Sequence, residues 1–78
     1  MANGTYVLRA GEQYQAVRKG WTYIITIHNV TVMASLLGEN VTVKYDVSPT
    51  GWVGDKVALY ETPWQVVEKL TRWSAVEV

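Results

Sequence analysis

The stretch Trp21-Thr22-Tyr23-Ile24-Ile25-Thr26-Ile27-His28-Asn29-Val30-Thr31-Val32-Met33 decides the fold. β-Branched and aromatic side chains dominate it, and these suit a pleated, half-buried ribbon better than a helix. Up to Ile27 the pattern has period two, with Tyr23, Ile25 and Ile27 on one face and Thr22, Thr26 and His28 on the other. Then the parity changes, because Val30 and Val32 continue the apolar set where Asn29 and Thr31 would be expected. One inserted residue near His28-Asn29, a β-bulge, restores a single apolar face, and small curved sheets use bulges to bend long strands. The competing reading is a tight turn that splits the run into a hairpin. The bulge is favoured, since no glycine stands there to supply the positive backbone angles of a two-residue turn.

The neighbours of this strand read the same way. Upstream, Thr5 to Arg9 is a short β-type run ending at Gly11, and Tyr14 to Val17 is a second piece before the break Arg18-Lys19-Gly20. Downstream, Leu37-Gly38-Glu39-Asn40 reads as a turn. Val41 to Val47 then alternates without a fault, apolar at every odd position, as a strand does with one face buried and one wet. Ser48-Pro49-Thr50-Gly51 breaks it, Trp52-Val53 reads as a brief extension, and Lys56 to Tyr60 is the last strand.

After Tyr60 the period changes from two to three and four. Thr62 suits an N-cap, Pro63 the first helical position, and Gln65 stands where a capping box needs it. The spacing predicts a helix over 63–73 whose stripe is Trp64, Val66, Val67, Leu70 and Trp73, with Gln65, Glu68, Lys69 and Arg72 in water. Glu68 precedes Arg72 by four residues, the favourable order for a pair. Ser74 to Val78 carries no stop signal and is expected to fray. Strands first and one helix last give a mainly β (α+β) chain: a small, strongly bent antiparallel sheet or SH3- or OB-like partial barrel with one C-terminal helix.

Seventy-eight residues make room for one domain, and 49% hydrophobic against 18% charged residues place the chain in the globular range. Seven Lys and Arg balance seven Asp and Glu, so no long-range field draws the protein to phosphate backbones or anionic lipid. The absence of cysteine removes disulfides, thiolate nucleophiles and thiolate metal sites. Met1-Ala2-Asn3-Gly4 lacks a basic-then-apolar leader, and no segment approaches the roughly 18 apolar residues of a membrane span. A soluble cytoplasmic protein is expected, in a host cytoplasm if the chain is viral.

Reaction chemistry is not nominated. His28 is the single histidine and has no ligand cluster beside it, so a solvated structural role is expected. The carboxylates Glu12, Glu39, Asp46, Asp55, Glu61, Glu68 and Glu77 are scattered singly. The glycines never form a phosphate loop, and the triplets beginning at Asn3, Asn29 and Asn40 read as ordinary strand sequence. No cofactor, metal or enzymatic activity is expected.

The aromatic set is the unusual feature, with four Trp, five Tyr and no Phe. Rings with a polar handle suit a thin core and also suit binding surfaces. Trp52 stands in a Gly- and Pro-punctuated loop from Ser48 to Asp55 and is the leading contact candidate, with Asp55 beside it. Arg18-Lys19-Gly20-Trp21 sets two cations beside a ring, the combination that grips nucleic acid by phosphate contact and base stacking, with Lys44 and Lys56 as further candidates. Three readings follow: a non-enzymatic module that occludes a protein partner, a nucleic-acid-binding barrel, and a small virion or assembly component that self-associates as a homo-oligomer.

Gly11-x-x-Tyr14, Val43-Lys44-Tyr45, Trp52-Val53 and Thr62-Pro63-Trp64 leading into Val67-Glu68-Lys69-Leu70 occur in an order that resembles short phage- and prophage-borne SH3-like β-barrel proteins of uncharacterised function. The resemblance implies a viral or mobile-element origin and a protein that binds and redirects or inhibits a host factor. It supplies no catalytic residue.

Overall fold

A computed structural model describes residues 6–78. The elements are β1 (Gln13–Arg18), β2 (Trp21–Ser35), β3 (Gly38–Pro49), β4 (Leu59–Glu61), α1 (Pro63–Arg72) and β5 (Val76–Glu77). The five strands form one open sheet in the order β4-β3-β2-β1-β5, antiparallel throughout. The expected mainly β architecture with a C-terminal helix is present, and the sheet does not close into a barrel.

The register of β2 on β3 shifts between Ile27 and Asn29, so His28 is the inserted residue. With that insertion the apolar residues meet on one face: Ile25 opposite Val47, Ile27 opposite Tyr45, Val30 opposite Val43, Val32 opposite Val41. Without it, every side chain beyond Ile27 would point to the wrong side. The helix lies on this face, and the core comprises Tyr14, Ala16, Ile25, Ile27, Val43, Tyr45, Val66, Leu70 and Ala75.

The helix begins as its sequence predicts. Thr62 is the N-cap and Pro63 the first helical residue, and Gln65 Oε1 accepts from the Thr62 N–H and hydroxyl, both at 3.0 Å. Tyr45, buried beneath the helix, binds it to the sheet. Its hydroxyl donates to Glu61 Oε1 at 2.6 Å and accepts from Lys69 Nζ, which also sits 3.6 Å from Glu61 Oε1. Burial, then the hydrogen bond to Glu61 and its charge, pushes the phenol above its ordinary range, so it stays a donor.

Five sequence expectations are corrected. The strand expected over 5–9 is absent from Tyr6 to Arg9, and Thr5 lies outside the described residues. The edge of β1 that it would need is occupied by β5, while Tyr6 and Leu8 pack on the core and the Tyr6 hydroxyl donates to Ala75 O at 2.7 Å. The tail expected to fray is therefore β5. Trp73 ends the helix, Ser74 turns left-handed at φ 52°, and the Ser74 and Ala75 N–H groups donate to Thr71 O and Leu70 O at 3.1 and 2.9 Å. This is a Schellman closure with serine where glycine is usual, which is why the sequence shows no stop.

The turn expected at Leu37–Asn40 lies earlier, at Leu36-Leu37, and β3 starts at Gly38. Ser35 Oγ accepts from the Leu37 N–H and donates to Gly38 O, while Gly38 takes φ 127°. The strand expected over 56–60 shrinks to Leu59–Glu61, and Trp52-Val53 is loop rather than strand. The Trp52 indole folds back so that Nε1 donates to Asp55 O at 3.1 Å, which rounds the connection and delays pairing until Leu59.

Candidate functional site

The β1–β2 turn and the β3–β4 loop meet at one end of the sheet. Lys19 and Gly20 both take positive φ, 51° and 81°, as a two-residue hairpin between the paired Arg18 and Trp21 requires. Parity sends Trp21 and Tyr23 to the apolar face, where Tyr23 is half-buried beside Trp73 at the helix end and Trp21 stays exposed. The opposing loop is fixed by Thr50, whose N–H and hydroxyl both donate to Thr22 O, and by Trp52 N–H donating to Pro49 O at 3.0 Å.

These constraints place Trp21, Tyr23, Pro49, Trp52 and Val53 around one groove of about 380 Å³. Trp21 is 64% and Trp52 51% exposed. The Trp52 ring rests over Gly54, where an added Cβ would come within 3.3 Å of it, so the bare backbone at Gly54 sets the indole's position. On the loop's other flank Trp52, Asp55, Lys56, Val57 and Leu59 line a second groove of about 370 Å³ with Pro49 and Ser48. Asp55 contributes there, and its carbonyl holds the Trp52 indole.

Arg18 and Lys19 border the neighbouring groove with Tyr23 and Trp73. Arg18 Cζ lies 4.8 Å from the centre of the Trp73 ring, which in turn meets Tyr23 at 6.2 Å and 47°. The guanidinium is thus stacked within the molecule, a contact worth about 0.5–1 kcal/mol at an exposed site. Lys44 lies elsewhere, 5.9 Å from the Tyr60 ring, and Lys56 lies on the far flank of Trp52. The cations named from the sequence do not form one continuous track.

All five candidates, Trp52, Asp55, Trp21, Arg18 and Lys19, therefore lie at this end. Sequence reading missed Tyr23 and Trp73 as its third and fourth rings. Tyr23 was legible as the next odd position after Trp21. Trp73 was read as part of the helix stripe, and only the placement of α1 on the sheet brings it here. Of the other aromatics, Tyr14 and Tyr45 are buried, Tyr6 is half-buried, and Tyr60 and Trp64 are exposed.

Two polar pairs join residues that sequence left apart. His28, exposed at the bulge, is hydrogen-bonded through Nε2 to Asp46 Oδ2, and the second oxygen of the buried Asp46 carboxylate has no partner among the described residues. His28 is thus tied to the sheet rather than merely solvated. At the opposite end a groove of about 560 Å³ is lined by Tyr6, Arg9, Glu12, Tyr14 and Glu77. The Glu12 carboxylate, as acceptor of a hydrogen bond from the Glu77 carboxyl and through its negative charge, pushes Glu77 above its ordinary value, against a smaller lowering by Arg9. Two carboxylates can share such a bond only when one is protonated. No cluster of three metal-ligating side chains occurs among the described residues, and none of their helices is long and apolar enough to cross a membrane.

No protein family, curated protein or solved structure matches the chain.

Proposed function

We propose that this chain is a non-enzymatic protein-binding module that docks a partner on its aromatic end and acts by occluding the surface it covers. The single observation behind this reading is the convergence of Trp21, Tyr23 and Trp52 on one open apolar groove. Rings held by a hairpin and a stapled loop bury large area with little ordering cost, the property of interface anchors. The groove's occupant is an apolar segment of a protein. Arg18 and Lys19 beside it favour acidic residues next to that segment. The resemblance to phage-borne barrel proteins supports the same reading, in which the occluded surface belongs to a host protein.

The test is affinity capture from lysate followed by mass spectrometry, run in parallel with the wild type, Trp52→Ala, Trp21→Ala and the distant control Trp64→Ala. A partner enriched by wild type and control but lost by both groove variants is the expected result. Truncating an anchor costs about 2 kcal/mol or more, some thirtyfold in affinity. Undiminished capture by a folded Trp52→Ala chain refutes the groove. The nucleic-acid reading is separated by titrating oligonucleotides at low salt. Quenching of Trp emission that Arg18→Ala and Lys19→Ala abolish would replace the proposal.

A further inference from the structure

Beyond the bulge, β2 and β3 leave the body of the protein. The β1 pairing stops at Thr26, with Ile27 bonded to Gly11 and Glu12, and β4 pairs only with Val43 to Tyr45. Asn29–Ser35 and Gly38–Thr42 therefore form a two-stranded arm with no neighbour on either edge among the described residues. Its surface is apolar: Val32 is 56% exposed, Met33 is exposed, and Leu36 and Leu37 at the tip are fully so. None of this exposure belongs to the aromatic groove at the other end of β2.

An open edge of this kind is ordinarily blunted by Lys, Pro or an inward charge. The β2 edge has none of these. From Gly20 to Gly38 the chain contains no Asp, Glu, Lys, Arg or Pro. A seven-residue segment of high β-propensity without charge is a template for another strand. The edge that follows from the hydrogen-bond pattern is specific. Thr22 bonds towards β3 and Ile27 towards β1. The inserted residue shifts the alternation, so beyond it the N–H and C=O groups of Val30, Val32 and Ala34 face outward.

The geometry points to a second copy of this chain as the occupant, paired antiparallel along the β2 edge about a two-fold axis at Val32. In that register Val32 faces its own counterpart, Val30 faces Ala34, Thr31 faces Met33 and Asn29 faces Ser35, so apolar and polar faces continue across the axis. Three outward residues on each strand complete their hydrogen bonds, and Leu36 at each tip reaches the bulge of the other copy. The absence of charge makes the segment complementary to itself, and a net charge of zero leaves no repulsion between the copies.

Analytical ultracentrifugation and single-cysteine cross-linking of the full chain test this. Wild type is expected to sediment as a dimer at about 100 µM. Val32→Lys sets two cations face to face on the axis, at a position exposed in the single chain, and is expected to be a monomer with an unchanged circular dichroism spectrum. Val32→Thr is expected to remain a dimer. Val32→Cys should give a disulfide-linked dimer on mild oxidation, because opposed Cα atoms of a hydrogen-bonded pair lie about 5.5 Å apart, within disulfide reach. Glu68→Cys, distant from the arm, should not. A wild-type monomer up to about 1 mM overturns the proposal, with or without binding of phosphatidylcholine vesicles by the arm. So does a dimer indifferent to Val32→Lys, or open polymers in place of a closed dimer.

Discussion

Replacing Tyr45 by Phe removes one oxygen and keeps the ring in place, which isolates the contact between helix and sheet. The ring is fully buried under α1, and its hydroxyl joins three elements, from β3 to Glu61 at the end of β4 and Lys69 on the helix. Two hydrogen bonds to charged partners are lost, each worth about 1.5–3 kcal/mol net when the partners cannot recover. Here they partly can. The Glu61 and Lys69 side chains are about a third and a quarter exposed and already within 3.6 Å of one another. The expected cost is therefore about 2 kcal/mol for both bonds together, near the lower end of what either would cost alone. A domain this small holds roughly 3–5 kcal/mol in all, and each kcal/mol moves its midpoint by about 4–8 °C, so Tm should fall by about 10 °C.

Thermal and urea unfolding followed by circular dichroism measure this, and pH supplies a second arm. Because the folded-state phenol is raised above 10.0, its stabilisation is complete below that pH and is lost as pH climbs towards the folded value. The gap between wild type and Tyr45→Phe should therefore narrow above about pH 10. Tyr14, raised chiefly by burial and then by Glu12 and Glu77, leaves a residual alkaline slope in the variant. A loss below about 0.5 kcal/mol, or a gap constant to pH 11, would show that the hydroxyl does not fasten the helix.

Ser74→Gly should raise stability by about 1 kcal/mol in urea denaturation, because the residue that closes the helix is left-handed at φ 52° and glycine meets no Cβ penalty there. Gly54→Ala combines a φ of 152° with a Cβ 3.3 Å from the Trp52 ring, so it should cost about 1–3 kcal/mol and shift the Trp emission maximum as the indole is displaced. Glu77 has a raised folded value, so its contribution is complete below its ordinary 4.5 and lost as pH rises through the folded value. Glu77→Gln keeps a donor for Glu12 at every pH. Its midpoint should exceed that of wild type at pH 7 and converge with it near pH 4; an equal gap at both would refute the shared proton.

Much of the frame was legible because it is local. Alternation in Val41–Val47 identifies the buried face directly, and the parity break after Ile27 can be repaired only by one inserted residue or a reversal. The start of the helix is written in Thr62, Pro63 and Gln65, each acting within one turn. Its end was not legible, since Ser74 adopts a conformation for which serine gives no signal. The hairpin tip was misplaced by two residues because Gly38 drew the turn towards itself, whereas the Ser35 hydroxyl closes the turn over Leu36-Leu37.

The sequence by itself determined the period of the long strands and of the helix, a parity break near His28 that a bulge or a reversal would repair, the sense of the helix and the residues with rings to offer, because these depend on neighbours within a few positions. Only the tertiary structure decided that Tyr6–Arg9 yields its edge to β5, and that Trp73 joins Tyr23. It alone gathers Trp21 and Trp52 around one groove while the β2–β3 arm stands uncovered. Those outcomes depend on which edges remain free once the helix has taken its face, a competition among distant segments that no local period records.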